Sequence, residues 1–162
     1  MPPYVVRRVR ATHITSFQMH MGYVLMSLIF CGALERYPNL KIVIGEAGHR
    51  LDPLRAASAW TLEWEDQFKD LDLKMKPSEY WHRQCYATYQ TDPVGIKLLD
   101  ELGEDNVMWG SDFPHPDGIW PDSQEFLDRE LAGVTPEVRR KVSARQCDEA
   151  LSAAGNSIFR SA

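Results

Sequence analysis

The segment Asn106-Val107-Met108-Trp109-Gly110-Ser111-Asp112-Phe113-Pro114-His115-Pro116-Asp117-Gly118 decides how this chain is read. Its first five residues are a short apolar run, the pattern of a buried strand. A loop of polar residues and prolines follows, carrying the Asp112 carboxylate and the His115 imidazole. In parallel α/β architectures the loops converge beyond the carboxyl ends of the strands, so polar side chains placed there face a ligand site. The same order occurs twice upstream. Leu40-Lys41-Ile42-Val43-Ile44 runs into Gly45-Glu46-Ala47-Gly48, and Cys85-Tyr86-Ala87-Thr88-Tyr89 runs into Gln90-Thr91-Asp92. Strands of this kind alternating with helical patterns indicate βα units and a parallel sheet.

The helical patterns lie between and around the strands. Residues 23–37 are apolar around most of a helix circumference and are stopped by Pro38, which cannot supply an amide to the preceding turn. Asp52-Pro53 is a helix start, and Leu54, Ala57, Thr61, Trp64 and Phe68 then recur at alternating steps of three and four along one face. Pro77-Ser78 opens a short helical turn. Asp92-Pro93 caps a helix with Leu98, Leu99 and Leu102 on its apolar face, ended by Gly103. Two helices close the chain, over residues 123–132 and 136–153, the second capped by Thr135 ahead of Pro136. The beginning is the least legible part: residues 4–9 read equally as a strand or as a loop. Residues 1–22 are assigned to an N-terminal arm and residues 23–162 to a single domain.

Composition narrows the function classes. With 18 Lys+Arg against 23 Asp+Glu the net charge is −5, the wrong balance for a protein that must displace counterions from phosphates. The longest strongly apolar run, residues 24–31, is interrupted by Ser27 and falls well short of the roughly 20 residues of a membrane span. Arg7, Arg8 and Arg10 follow the first short apolar stretch instead of preceding it, unlike a secretory signal. Cys31, Cys85 and Cys147 are odd in number and widely spaced, which fits reduced thiols of a cytoplasmic protein better than a disulfide framework or a CxxC knuckle. The expectation is a cytoplasmic protein acting on a small molecule, with neither nucleic acid nor membrane as partner. No Gly-rich phosphate loop, GxSxG elbow or nucleotide fingerprint is present.

Each candidate residue carries two readings. Asp112, at the end of a buried strand in a loop stiffened by Pro114 and Pro116, suits a metal ligand or the acceptor of a proton from metal-bound water; equally, it caps a turn. His115 suits an outer-shell partner or a binder of a substrate carboxylate, against a surface turn residue between two prolines. Glu46 suits an acid, a base or an orienter of a metal ligand, against a carboxylate paired with His49 or Arg50. His82 reads as packed or superficial. His13 and His20 match neither HxH nor HExxH, and the tryptophans and tyrosines at helical spacing read as core.

The loop from Val107 through Pro116 closely resembles the last-strand motif of the amidohydrolase-related family. This is the branch of the metal-dependent amidohydrolases that includes aminocarboxymuconate-semialdehyde decarboxylase. Leu34-Glu35-Arg36-Tyr37-Pro38 with Lys41-Ile42-Val43-Ile44-Gly45-Glu46-Ala47-Gly48 resembles that family's sixth strand and preceding helix, and residues 60–66 and 85–88 resemble the stretches between the sixth and eighth strands. The likeness runs over residues 26–145. It implies α/β architecture, the carboxyl-terminal portion of a (β/α)8 TIM barrel with three to four βα units. It also implies a divalent metal, zinc or alternatively manganese. By carry-over Asp112 is the eighth-strand metal ligand and a catalytic residue; from their own placement Glu46 is expected as a second catalytic residue and His115 as a substrate-binding one. The implied reaction is hydrolysis or decarboxylation of a small carboxylated or cyclic substrate.

Three departures qualify the likeness. Glu46 stands where the family's decarboxylases commonly carry histidine. Gln146-Cys147-Asp148-Glu149-Ala150-Leu151 departs from the family's last-helix sequence, and the first-strand His-x-His has no counterpart, so the remaining metal ligands are expected outside this chain. The alternative function is a catalytically silent barrel fragment acting as a scaffold or interaction module. Three strands cut from a closed barrel leave unpaired edges, so the expected partner is a second copy or a missing N-terminal half.

Overall fold

The computed structural model describes residues 3–46, 69–116 and 118–145. Helices α1 (Pro3–Phe30) and α2 (Ala33–Arg36) lead into strand β1 (Ile42–Ile44). A short 3-10 turn over Lys69–Leu71 precedes α3 (Pro77–Gln84), which feeds strand β2 (Cys85–Tyr89). Helices α4 (Pro93–Lys97) and α5 (Leu99–Leu102) return the chain to strand β3 (Val107–Trp109), and α6 (Ser123–Glu130) and α7 (Pro136–Arg140) follow, α7 continuing into a π-turn over Lys141–Arg145. The strands form one parallel sheet in the order β1-β2-β3. The helix expected from Asp52 lies outside the described residues, as does the carboxyl-terminal part of the last helix. Among the described residues no helix is long and apolar enough to cross a membrane.

Residues 4–9, expected as a strand or loop, are helical, and α1 runs unbroken through the expected boundary between residues 22 and 23. The reason is local. Between Pro3, which is tolerated at a helix start, and Gly22 there is neither proline nor glycine to end a helix. The helix expected over residues 23–37 is divided instead at Cys31-Gly32, where Gly32 takes a left-handed φ of 72° that a side chain would disfavour. Gly32 N donates to Ile29 O at 2.9 Å and closes the first helix.

The register fixes which side chains share a face. Ile44 pairs with Ala87, and Ala87 with Val107, so these three point the same way. They join Leu25, Ile29, Leu34, Tyr80, Trp81, Cys85, Tyr89, Leu99 and Val142 in two adjoining clusters beneath the helices. Asn106 ties the amino ends of the strands together. Its buried Nδ2 donates to Cys85 O at 2.8 Å and to Trp81 O and His82 O at 3.3 Å. The opposite face carries Val43, Tyr86, Thr88 and Met108, and Val43 is 51% exposed. At the other end of the strands, Trp109 Nε1 donates to Gln90 O at 3.0 Å and Gly110 N to Tyr89 O at 2.9 Å, joining the exits of β2 and β3.

Candidate functional site

All three sequence candidates leave the sheet at its carboxyl edge. Glu46 follows β1 by two residues, and Asp112 follows β3 by three. Both hold left-handed backbone conformations, φ 54° and 57°. Such a conformation costs a non-glycine residue on the order of 1 kcal/mol or more and is concentrated at functional loops; Asp tolerates it better than Glu. Glu46 N donates to Thr88 Oγ1 at 3.0 Å, so β2 holds the turn after β1 in place. The Glu46 side chain is exposed.

The loop after β3 is closed by its own backbone. Ile119 N donates to Ser111 O at 2.9 Å, His115 N to Asp112 O at 2.8 Å and Gly118 N to His115 O at 2.9 Å. A Cβ on Gly118 would lie 2.9 to 3.1 Å from the carbonyl oxygens of His115, Asp112 and Ser111, so the tight closure requires glycine. Ile119 is buried and anchors the returning end. This closure brings Asp112 and His115 together, with His115 Nδ1 3.2 Å from Asp112 Oδ2. Oδ2 is buried and accepts no well-formed hydrogen bond, which is costly for a carboxylate oxygen unless a cation or donor occupies that direction. Glu46 leaves the sheet from the strand beyond β2: β2 lies between β1 and β3, and two strand spacings amount to about 10 Å.

Other candidates resolve otherwise. Asp92, in the loop after β2, is buried, and its Oδ1 accepts from Gly95 N at 2.8 Å as the N-cap of α4. His82 is exposed at the amino end of β2, with Nδ1 3.3 Å from Asn106 Oδ1. His13 and His20 lie two turns apart on α1, about 10 Å along the axis, too far to share one ion. Cys85 is buried in the core, where desolvation pushes its thiol up to about 12, so it is no nucleophile near neutral pH. The His49 and Arg50 pairing weighed for Glu46, and Cys147, lie outside the described residues. Sequence reading missed one feature: Phe113 and Trp120 are exposed and pair with each other on the Asp112 loop. Each directly precedes a proline, Pro114 or Pro121, which interrupts any helix through the pair, and that was the available signal.

The implied metal can be tested against these donors. Asp112 Oδ2, buried and accepting no well-formed hydrogen bond although His115 Nδ1 lies 3.2 Å away, is a suitable ligand atom. No group of three His, Cys, Asp or Glu side chains able to hold a metal exists among the described residues. The donors present therefore fit one corner of a coordination sphere and do not complete one.

The amidohydrolase family profile matches residues 11–144, a span that contains Glu46, Asp112 and His115. The chain belongs to the amidohydrolase family. Solved structures share its fold. A 5-carboxyvanillate decarboxylase from Sphingomonas paucimobilis aligns with a TM-score of 0.63 and 24% identity, over 77% of this chain and 37% of its own. An amidohydrolase from Mycobacterium avium subsp. paratuberculosis aligns at 0.72 and 20%, over 86% of this chain and 35% of its own. A dihydroxybenzoic acid decarboxylase from Polaromonas sp. JS666, solved with bound manganese and the inhibitor 2-nitroresorcinol, aligns at 0.67 and 16%, over 98% of this chain and 49% of its own. This amidohydrolase chain thus spans about a third to a half of the length of the structures it matches.

Proposed function

We propose that this chain is the carboxyl-terminal part of a (β/α)8 barrel, three to four βα units, in a metal-dependent enzyme of the amidohydrolase family. The enzyme is a hydrolase or carboxy-lyase for a small carboxylated or cyclic organic substrate. The observation that carries the reading is Asp112 Oδ2, buried at the carboxyl edge of the sheet, 3.2 Å from His115 Nδ1 and accepting no well-formed hydrogen bond. The shares of length covered in the matched structures support the partial barrel, and the manganese of one relative supports a divalent metal.

A divalent metal, zinc or manganese, supplies Lewis-acid polarisation of a substrate oxygen when bound. Asp112 would hold it from this chain and, in hydrolysis, would accept a proton from the attacking water. His115, hinged to Asp112 by the closed loop, binds the substrate carboxylate. Glu46, presented by the strained turn after β1, exchanges a proton with the reacting substrate. Hydrolysis adds water across the cleaved bond; decarboxylation replaces the carboxylate with a proton and releases carbon dioxide.

The test is Asp112→Asn in the protein purified from its source, assayed for carbon dioxide release from hydroxylated benzoates and for hydrolysis of cyclic amides. Turnover should fall at least about a hundredfold, the scale of losing several kcal/mol of Lewis-acid stabilisation, with an unchanged far-UV circular dichroism spectrum. Undiminished turnover would reject the role of Asp112. A wild-type protein that turns over neither class and takes up neither zinc nor manganese would favour the scaffold reading.

A further inference from the structure

The helical layer leaves a groove of about 560 Å³ between α4 and the turn that follows α6, a size within the range of small-molecule sites, about 300 to 1,000 Å³. Pro93, Ile96 and Lys97, on one face of α4, form one wall; the last turn of α6 with Gly133 and Val134 forms the other. The walls are tied together. Glu130 Oε2, at the end of α6, accepts from Asp92 N, at the start of α4, at 3.1 Å, and Ile96 and Val134 both pack against the core cluster of Tyr89, Leu99, Val107 and Val142. Packing beneath the groove is incomplete: Ile96 also borders a small cavity lined by Tyr89, whose buried hydroxyl has no hydrogen-bond partner. The charges at the groove are unbalanced. The side chains of Lys97 and Arg129 are exposed and, among the described residues, make neither an ion pair nor a hydrogen bond. Lys74, Arg139 and Lys141, by contrast, pair with Glu35, Asp128 and Glu104. The Arg129 guanidinium carbon lies 4.3 Å from the Phe126 ring centroid, an attraction that holds the group on α6 and leaves its N–H donors unused.

We propose that this groove is a binding site for a small amphiphilic anion, an aliphatic carboxylate whose head group pairs with Lys97 and Arg129 and whose hydrocarbon body lies along Pro93, Ile96 and Val134. A bare inorganic anion leaves the apolar walls in water, and an uncharged hydrocarbon leaves both cations unpaired. The lining therefore selects a ligand that carries both parts. Glu130 is the one carboxylate among the lining residues, and one of its oxygens is already engaged by the Asp92 amide. The inference stands apart from the roles proposed for Asp112, Glu46 and His115.

The experiment is a calorimetric titration of hexanoate, 1-hexanol and acetate into the full chain and its variants. Hexanoate should bind more tightly than acetate and roughly two- to thirtyfold more tightly than 1-hexanol, the range expected of two exposed charge contacts. Lys97→Gln and Arg129→Gln, at exposed positions, should each bring the hexanoate-to-hexanol ratio toward one with an unchanged far-UV circular dichroism spectrum, and Lys97→Arg should preserve it. A Cβ on Gly133 meets nothing within 4 Å, so Gly133→Phe occupies the groove without displacing a neighbour and should weaken hexanoate and 1-hexanol alike. The absence of saturable hexanoate binding would overturn the proposal, as would an unaltered ratio in both glutamine variants or acetate binding as tightly as hexanoate. Asp112→Asn should leave hexanoate affinity unchanged. A loss in that variant would place the carboxylate at the Asp112 loop and overturn the assignment to this groove.

Discussion

At the scale of single residues, the two carboxylates and the imidazole at the carboxyl edge of the sheet contrast with Asn106 at its amino edge. Asp112 and Glu46 hold strained conformations and contribute little to packing. Asn106 is buried, and its amide binds three carbonyls from the end of α3 and the start of β2. Replacing it with leucine leaves those carbonyls without their donor, and burying unpaired polar groups costs about 1 to 3 kcal/mol. Asn106→Leu should therefore lower the urea midpoint by an amount equal to roughly 2 kcal/mol with an unchanged m-value. A shift within about 0.5 kcal/mol, as at an ordinary surface site, would show that the amide is not a strut. Of these residues the sequence disclosed Asp112 and His115, because a three-residue step inside a turn brings two side chains together whatever surrounds them. It did not disclose Asn106 or the exposure of Phe113 and Trp120, since both depend on which distant backbone the loop meets.

Among the elements, β2 was the most legible, because Cys85, Ala87 and Tyr89 alternate with Tyr86 and Thr88 and the structure buries the first set. The start of α1 was the least legible: its side chains show no apolar stripe, and it is helical because nothing in its sequence stops it. Helix α4 shows how a cap fixes an element. The Asp92 carboxylate accepts from Gly95 N at 2.8 Å, and a Cβ at Gly95 would collide with that same carboxylate. Asp92→Ala should cost about 1 to 2 kcal/mol through the lost cap. Gly95→Ala should destabilise the wild type but cost distinctly less in the Asp92→Ala background, because the collision has gone. Chemical denaturation of the four proteins in a double-mutant cycle measures this coupling; strict additivity would mean that residue 95 meets something other than the cap.

For the molecule as a whole, the sheet has helices on one face, while the other carries Val43, Tyr86, Thr88 and Met108, with Val43 half exposed among the described residues. Parallel sheets are ordinarily covered on both faces, and the structures this chain matches are about 2 to 2.5 times its length. In the proposed barrel that face would line the interior, and Asp112 would supply one ligand of a metal held also by residues on other strands. The sequence made the parallel order legible through three strand-then-loop units, but a coordination sphere assembled from distant strands leaves only one of its members in any such unit. The most direct measurement is the divalent metal content of the native protein isolated from its source cells, compared with its Asp112→Asn variant by elemental mass spectrometry. A metal held by Asp112 predicts near-stoichiometric zinc or manganese in the wild type and its loss from a variant of unchanged circular dichroism. Equal metal content in the two proteins, or none in the wild type, would contradict that role.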